Sequence, residues 1–388
     1  MKSLQRLFFF IAFFSIYGAA NYYIALRIYQ WLTLSFAGIN AKIYISLYVF
    51  VALSYIFATL SRRIKSVTIP ISIRKIMNLI GAYWLGIFIY LLIFIFLADI
   101  APLLGIATGI IPSPLTNHML FYRGLVALLL SVGIVSYGIY NAVQIRLVSY
   151  EVQLSKSILS NEIKIALISD LHLGAINSER NLEKIVQGIN SLEPDIVCIA
   201  GDIFNDNIYA IRDRDRAATL FREIDSKYGI FACLGNHDSG STFHQKIRLL
   251  EESNITLLND EPVIIGERLV LLGRLDSGPI GYFGGLERRD VSNVIASMCA
   301  DMPVIVMEHN PAHVGEYGSE VSLILAGHTH GGQMFPITLI VKAMHPFYHG
   351  HYQREGAHPN VIVTSGASTW GPPMRVGTNN EIVSILLR

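Results

Sequence analysis

Four long apolar stretches in the first 141 residues constrain the fold of this chain more than any other feature. A helix that crosses a lipid bilayer needs about 20 predominantly apolar residues, and each stretch approaches or reaches that length. We therefore predict an all-α transmembrane region over residues 1–141. Its four helices are expected at about residues 7–26, 43–60, 76–97 and 125–140.

The composition supports a membrane region, because 52% of the residues are hydrophobic and only 15% are charged. The first stretch could instead be a signal peptide, since Lys2 and Arg6 precede its apolar core. The three stretches that follow favour an uncleaved anchor. Asp99 and Arg123 lie only near the ends of their stretches, so we favour an anchor over a transport path.

Basic residues between the stretches predict the orientation. The connection between the second and third stretches carries five of them: Arg62, Arg63, Lys65, Arg74 and Lys75. The next connection has no Lys or Arg before Arg123, so the positive-inside rule places the former in the cytoplasm. With four spans both termini share that side, and we expect an integral protein of the cell (inner) membrane with a cytoplasmic catalytic domain. The net charge of +1 gives no basis for predicting a nucleic-acid partner.

Residues 142–388 alternate between apolar runs of strand length and amphipathic stretches of helix length. Short, continuously apolar runs are typical of strands that are covered on both faces, so this half is predicted to be a layered α/β domain. Strands are expected in residues 144–154, 162–169, 195–200, 229–234, 303–307, 321–326, 361–366 and 381–388. Helices are expected around residues 182–192, 216–227, 244–253 and 291–300.

Polar residues of the types that bind metals follow five of the predicted strands. In open α/β sheets, sites lie just beyond the carboxyl ends of the strands, so these residues can converge. A single Asp or His after a strand is usually a turn residue. Five such strand ends in succession are hard to explain as turns. The residues are Asp170, His172, Asp202, Asn236, His237, Asp238, His309, His328 and His330.

The sequence GHTHGGQ at residues 327–333 follows the last of these strands. Alternate residues of an extended chain point to opposite sides, so His328 and His330 suit two adjacent metal ions better than one. Gly331 and Gly332 are expected to let the backbone approach the metals or the substrate closely, although an ordinary tight turn is equally compatible. Gln333 is expected behind the ligands or at the substrate.

The order DxH, GD, GNHD, H and GHTH resembles that of the calcineurin-like metallophosphoesterases. The segment GASTWGPPMRVG at residues 366–377 is most similar to the bacterial membrane-associated members of the YkuE/YaeI type. The apolar N-terminal half is similar to that of transmembrane metallophosphoesterase-domain proteins. The resemblance implies a four-layer αββα sandwich, in which helices flank two mixed sheets.

The resemblance also implies a role for each matched residue. One metal ion would be bound by Asp170, His172, Asp202 and His330. The second would be bound by Asp202, Asn236, His309 and His328, so that Asp202 bridges the two ions. His237 would contact the phosphoryl oxygen or protonate the leaving group, and Asp238 would orient it.

Two divalent ions about 3.5–4 Å apart lower the pKa of a shared water and clamp an in-line displacement at phosphorus. Imidazole and carboxylate ligands suit Mn, Fe or Zn, and ligand type alone does not choose among them. We therefore hypothesise a hydrolase of ester bonds in which a hydroxide activated by two metals attacks phosphorus. His237 would protonate the departing oxygen, which is worth about 10²–10⁴-fold in rate.

The substrate is the least determined feature. Residues 337–356 are apolar and aromatic and also contain Lys342, His345, His349, His351 and Arg354. Such a segment could contact lipid or a hydrophobic substrate, or it could be a buried hairpin. We favour a lipid-linked phosphodiester or pyrophosphate. Three alternatives stay open: small soluble nucleotides or phosphomonoesters as substrates, a metal-binding regulatory or scaffold module, and a transporter with a regulatory phosphoesterase-like domain.

Overall fold

The structure, a computed structural model, describes residues 2–61, 69–154, 162–205, 207–296, 302–353 and 359–388. The chain divides into two compact units, Met1–Gly138 and Ile139–Arg388. Part of the basic connection and of the candidate substrate segment lies outside the described residues, namely Arg62, Arg63, Lys65 and Arg354. The same holds for residues 297–300 of the last predicted helix.

Long apolar helices form the first unit. They are α1 (Lys2–Ser35), α2 (Ala41–Leu60), α3 (Ile71–Ala107) and α4 (Asn117–Ala142), the last of which extends into the second unit. Among the described residues, three segments are long and apolar enough to cross a membrane: Ala41–Thr59, Ser72–Ala107 and Asn117–Ala142. Three of the four predicted spans are thereby supported. α1, whose first side chains lie outside the description, is not among them, and a fourth span stays a prediction.

Close helix contacts hold this unit together. Asn40 begins α2, because its side chain accepts hydrogen bonds from the backbone amides of Lys42 and Ile43. The Tyr17 hydroxyl donates to a backbone carbonyl of α2 at 2.7 Å. Gly81 of α3 faces α2 so closely that an added Cβ would lie 2.5 Å from Tyr55. A larger residue at position 81 would therefore push the two helices apart.

Two six-stranded sheets form the framework of the second unit. The first has the order β1 (Ile145–Val152), β12 (Asn380–Leu387), β2 (Ile163–Ile168), β3 (Ile196–Ala200), β4 (Ile230–Cys233) and β5 (Ile255–Leu257). The second has the order β10 (Gly350–Tyr352), β11 (Asn360–Val363), β9 (Leu323–Ala326), β8 (Val304–Met307), β7 (Leu269–Gly273) and β6 (Glu261–Ile265). Both sheets are mixed: β2 to β5 are parallel, as are β7, β8, β9 and β11, whereas β12–β2, β6–β7 and β10–β11 pair antiparallel.

The hydrophobic core explains why these strands are continuously apolar. Side chains from the two sheets, including Leu167, Leu271 and Leu325, share one buried cluster. Two further clusters cover the other sides of the sheets. The helices of this unit are α5 (Glu179–Asn190), α6 (Arg214–Arg222), α7 (Phe243–Glu252), α8 (Val291–Ala296) and α9 (Ile337–Met344). The predicted α/β fold with mixed sheets is confirmed.

Some elements were not predicted from the sequence. They are the short strands β5, β6, β7 and β10 and the helix α9. α9 occupies the start of the segment that could have been a buried hairpin, and none of its residues is buried. Over α9 the structure therefore supports an exposed apolar surface. Further along the segment, Phe347 and Tyr352 pack against a buried cluster and β10 pairs antiparallel with β11.

Candidate metal centre

Five strands end in loops that converge on one site. β2, β3 and β4 run parallel in the first sheet, and β8 and β9 run parallel in the second, so within each sheet their carboxyl ends lie together. The structure brings together all seven residues predicted to bind metal. They are Asp170 and His172 after β2, Asp202 after β3, Asn236 after β4, His309 after β8, and His328 and His330 after β9.

One group of potential ligands consists of Asp170, His172 and His330, all of them buried. The two imidazole Nε2 atoms face each other at 3.1 Å. The Asp170 Oδ1 atom lies 3.7 Å from the Nε2 atom of His172 and 3.4 Å from that of His330. Ligand atoms about 2.1 Å from one ion lie roughly 3–4 Å from each other, so this spacing fits a single metal ion.

A second group consists of Asp202, His309 and His328. The His309 Nε2 atom lies 3.3 Å from Asp202 Oδ2 and 3.2 Å from His328 Nδ1. Asn236 adds its side-chain oxygen, 3.2 Å from both imidazole nitrogens. The Nδ1 atom of His309 lies 2.8 Å from the Ala200 carbonyl oxygen, and donating a proton there leaves Nε2 free to bind a metal ion.

Asp202 links the two groups. Its Oδ2 atom is 3.3 Å from the His309 Nε2 atom and 3.7 Å from the His172 Nε2 atom, which belongs to the first group. Its Oδ1 atom accepts a hydrogen bond from the backbone amide of His237 at 2.8 Å. One carboxylate therefore faces both potential metal positions and also holds the loop after β4.

Burial and charged neighbours shift the pKa values of the histidines in different directions. Burial lowers the pKa of His172 to about 3, so its imidazole is neutral at pH 7. Burial and the neighbouring Arg375 guanidinium hold the pKa of His330 well below its usual value. Burial also opposes a charge on His309, but the Asp202 carboxylate outweighs it and raises the pKa of His309. An imidazole must be neutral to bind a metal ion. The Asp202 carboxylate raises the pKa of His309 by attracting positive charge, and the same attraction would favour a cation at this position.

Two further observations test whether these residues fit metal ions. The Oδ1 atom of Asp170 is buried and has no hydrogen-bond partner among the described residues, although it points at two imidazoles. A buried polar atom without a partner is costly unless something else binds it. In addition, five of the potential ligands have left-handed backbones: Asp170, His172, Asp202, His328 and His330. Such strain costs on the order of 1–3 kcal/mol per residue and is typical of functional sites.

Glycines make the close approach of these loops possible. A Cβ at Gly327 would lie 2.5 Å from the Asp170 carboxylate, and one at Gly235 would lie 2.2 Å from that of Asp202. Both glycines belong to the GHTH and GNHD sequences that first indicated the site. Their small size is therefore needed here, since any side chain would displace the carboxylate of a potential ligand.

His237 lies beside both groups but is not part of either. Its ring contacts the His172 ring edge to face, with the centroids 5.0 Å apart, and packs against Trp370 at 5.8 Å. Its Nδ1 atom has no hydrogen-bond partner among the described residues. Asp238, expected to orient His237, instead accepts hydrogen bonds from the backbone amides of Phe204 and Gly235. Burial and Asp202 raise the pKa of Asp238 to about 6.

The residues after His330 form a tight turn and contact the loop that contains Trp370. Gly331 and Gly332 have positive φ angles, and an added Cβ at Gly332 would lie 2.5 Å from the Thr338 backbone. The Gln333 side chain is buried and exchanges hydrogen bonds with the Trp370 backbone, each 2.9 Å long. Gln333 therefore holds the loop that packs Trp370 against His237. Of the two expected positions for Gln333, this one is behind the potential ligands.

Three residues near the centre were not predicted. Arg375 is fully buried and donates hydrogen bonds to the carbonyl oxygens of His330, Ser365 and Ser368. Lys246 is also buried and donates to the His237 carbonyl oxygen at 2.9 Å. Trp370, the third, lies with Arg375 in the segment used only for the resemblance. The sequence did contain an indication for Lys246, because this lysine occupies a core-facing position of the amphipathic helix α7.

The fold and the ligand groups define a metallophosphoesterase-type domain. Comparison with known proteins agrees, because residues 163–332 match the family model described as "Calcineurin-like phosphoesterase". The chain therefore carries a calcineurin-like metallophosphoesterase domain.

Three relatives extend this result. A "Transmembrane protein with metallophosphoesterase domain" of Danio rerio is 29% identical over 329 residues, which are 80% of this chain and 74% of that protein. A metallophosphoesterase of Campylobacter jejuni is 32% identical over 235 residues, 59% of this chain and 60% of that protein. The metallophosphoesterase YkuE of Bacillus subtilis is 25% identical over 249 residues, 58% of this chain and 79% of that protein. The chain thus spans less than two thirds of the Campylobacter relative.

Proposed function

We propose that this protein is a membrane-anchored, metal-dependent phosphoesterase that hydrolyses a phosphodiester or pyrophosphate bond of a lipid-linked substrate. The transmembrane region would comprise residues 1–141 with four spans, and residues 142–388 would form the catalytic domain as a four-layer αββα sandwich. The proposal rests on two adjacent groups of carboxylate and imidazole side chains, and on Asp202, which belongs to the second group and also lies near His172 of the first.

Each group of residues would hold one ion. Asp170, His172 and His330 would bind the first ion and Asn236, His309 and His328 the second, with Asp202 shared. When bound, two divalent ions supply positive charge that stabilises the phosphoryl oxygens and a lowered pKa for a nucleophilic water. The oxygen and nitrogen ligands suit Mn, Fe or Zn.

The remaining roles belong to the loop that contains His237. We propose that His237 holds a proton for the departing oxygen, because its ring packs against the His172 ring of the first group while His237 itself belongs to neither ligand group. Asp238 would position the loop through the amides of Phe204 and Gly235, rather than orient the imidazole directly. Lys246 would hold the same loop through the carbonyl oxygens of His237 and Ser239.

Removing the metals tests this function. Stripping the purified full chain with EDTA is expected to abolish hydrolysis of bis-p-nitrophenyl phosphate, and adding Mn²⁺ should restore it. The melting temperature should fall by roughly 5–10 °C, because a ligand at 100 times its Kd contributes about 2.7 kcal/mol to stability. Scanning calorimetry and a colorimetric assay measure both effects. Unchanged activity and melting temperature in metal-free protein would contradict the proposal.

The preference for a lipid-linked substrate is supported by the apolar surface of α9. Three of its side chains are strongly exposed: Leu339 at 58%, Ile340 at 57% and Met344 at 69%. The helix begins five residues after Gly332, so it directly follows the His330 loop. Exposed apolar side chains of this extent are typical of a surface that contacts lipid or an apolar ligand. Gly331, Gly332 and Gln333 would connect this surface to the metal centre.

Changing this surface should weaken the use of a lipid-linked substrate. The double substitution Leu339→Ser and Ile340→Ser is expected to raise KM for a lipid-linked phosphodiester in detergent micelles by about tenfold. Two leucine-sized contacts of about 1.5 kcal/mol each set an upper bound of about 3 kcal/mol, and half of that free energy corresponds to about tenfold in KM. The quantity to measure is KM for the lipid-linked ester divided by KM for bis-p-nitrophenyl phosphate, and this ratio should rise in the variant.

Ile264→Ser is the matched control, because Ile264 is 49% exposed on β6 and lies outside the proposed surface. It should leave the KM ratio unchanged. An unchanged ratio in the Leu339 and Ile340 variant would instead favour soluble nucleotides or phosphomonoesters as substrates.

We also propose that the protein resides in the cell (inner) membrane with its catalytic domain in the cytoplasm. The basis is the distribution of basic residues, of which Arg74 and Lys75 lie at the start of α3. Reporter fusions at the C-terminus measure the side directly. A C-terminal fusion to a fluorescent protein that folds only in the cytoplasm should fluoresce. A C-terminal fusion to alkaline phosphatase, which is active only after export, should be inactive, and its activity would contradict the cytoplasmic placement.

A further inference from the structure

Arg27, Asp99 and Arg123 meet within the N-terminal helical unit, although they come from α1, α3 and α4. The Nε atom of Arg27 lies 2.6 Å from Asp99 Oδ2, and the Nη2 atom of Arg123 lies 3.3 Å from Asp99 Oδ1. The hydroxyl of Tyr23 donates to the same carboxylate at 2.7 Å. We call these three charged residues the arginine pair and its carboxylate.

The charges in this cluster do not balance. Two guanidinium groups share one carboxylate, which leaves one formal positive charge. The side chains are partly enclosed, with exposed fractions of 35% for Arg27, 23% for Arg123 and 15% for Asp99. Ionisable residues among apolar helices are costly and usually mark a functional site. The surplus charge therefore favours an anion beside the arginine pair.

A cavity of about 630 Å³ opens beside the cluster. Both arginines and Asp99 line it, together with Gln30 and aliphatic side chains such as Leu91. The volume lies in the range of small-molecule sites, which are mostly apolar with a few polar groups that fix orientation. The cavity is thus suited to a ligand with an anionic group and an apolar part.

One wall of the cavity is built by close packing. Trp31 donates from its indole nitrogen to the Phe121 carbonyl oxygen at 3.0 Å, and the two rings stack with centroids 5.9 Å apart. Gly124, next to Arg123, makes room for the indole, because a Cβ there would lie 2.1 Å from Trp31 Cδ1. This packing fixes Trp31 beside Arg123, so the wall exists without a ligand.

We propose that this cavity binds the phosphate group of an anionic phospholipid, with Arg27 and Arg123 donating to the phosphate oxygens. Guanidinium groups match phosphate geometry with two parallel hydrogen bonds. The aliphatic lining would contact the first methylenes of the lipid chains, which free phosphate does not have. The site is separate from the metal centre, and its existence does not depend on the proposed hydrolysis.

The test uses the full-length chain in detergent, titrated with phosphatidylglycerol or phosphatidylcholine and followed by native mass spectrometry. Phosphatidylglycerol should bind at least about tenfold more tightly, because the choline cation of phosphatidylcholine opposes the surplus positive charge of the arginine pair, and one charged contact changes Kd by roughly that factor or more. The double variant Arg27→Gln and Arg123→Gln should lose this preference. Lys42→Gln is the matched control, because Lys42 is an exposed cation at the start of α2 that does not line the cavity.

Several results would overturn the proposal. Equal affinity for both lipids would do so, as would a folded double variant that keeps its preference. Inorganic phosphate that competes as well as the lipid would show a site for free anions and refute the lipid. Should the double variant fail to fold, Asp99→Asn provides the second test. It frees both guanidinium groups and should keep or strengthen the preference for phosphatidylglycerol, and loss of that preference in a folded protein would contradict the proposal.

Discussion

Replacing Asp202 with Asn should reduce hydrolysis of bis-p-nitrophenyl phosphate by about 10³-fold or more in the presence of Mn²⁺. Metal ions contribute several kcal/mol to transition-state stabilisation, and each 1.36 kcal/mol corresponds to a factor of ten in rate. Asp202 faces both ligand groups, so this change removes a charged ligand from each of the two proposed positions. The amide keeps the size of the side chain and can still accept from the His237 backbone amide.

Steady-state kinetics of the full-length protein measure this effect, together with circular dichroism to establish that the variant folds. Asp225→Asn provides the control, because it makes the same chemical change at an exposed loop position. A folded Asp202→Asn variant with wild-type kcat would show that no shared carboxylate is needed. Loss of activity in the Asp225→Asn variant would point to a general effect of charge instead.

Replacing His237 with Ala has the second largest expected effect. The variant should keep its metals, because His237 belongs to neither ligand group, and should lose about 10²–10⁴-fold in kcat toward esters with poor leaving groups. Esters with good leaving groups need little protonation and should be affected much less. A plot of log kcat against leaving-group pKa should therefore be steeper for the variant than for the wild type.

His244→Ala serves as the control, since His244 is exposed on α7. Metal content and rates are measured on the same preparations. A His237→Ala variant that retains its metals and its full rate with poor leaving groups would exclude the proton-donor role. Equal losses for good and poor leaving groups would assign His237 to phosphate binding instead of proton transfer.

The convergence of the potential ligands was predictable because each of their positions combines two local signals. A continuously apolar run such as residues 196–200 predicts a buried strand, and Asp202 follows it directly. The topology of parallel strands then brings such ends together. Arg375 has no comparable local signal. It lies in a loop rich in Gly and Pro, and its contact with His330 spans 45 positions of sequence.

α9 illustrates the opposite case, in which the local pattern suggests another structure. Ile337, Thr338, Ile340 and Val341 are β-branched and favour strands. The segment nevertheless forms a helix, because it lies outside both sheets and directly follows the tight turn at Gly332. The contacts of Asp238 also differ from the prediction. The residues next to Asp238 in sequence do not reveal which backbone amides its carboxylate will accept from after folding.

We propose that one site binds two metal ions through two groups of ligands. The most direct measurement is the metal content of the purified full-length protein by inductively coupled plasma mass spectrometry, after loading with Mn²⁺ and removal of excess metal. We predict two ions per chain for the wild type and fewer than two for His328→Ala and for His330→Ala. Wild-type protein that is fully active with a single ion per chain, unchanged by either substitution, would contradict the account.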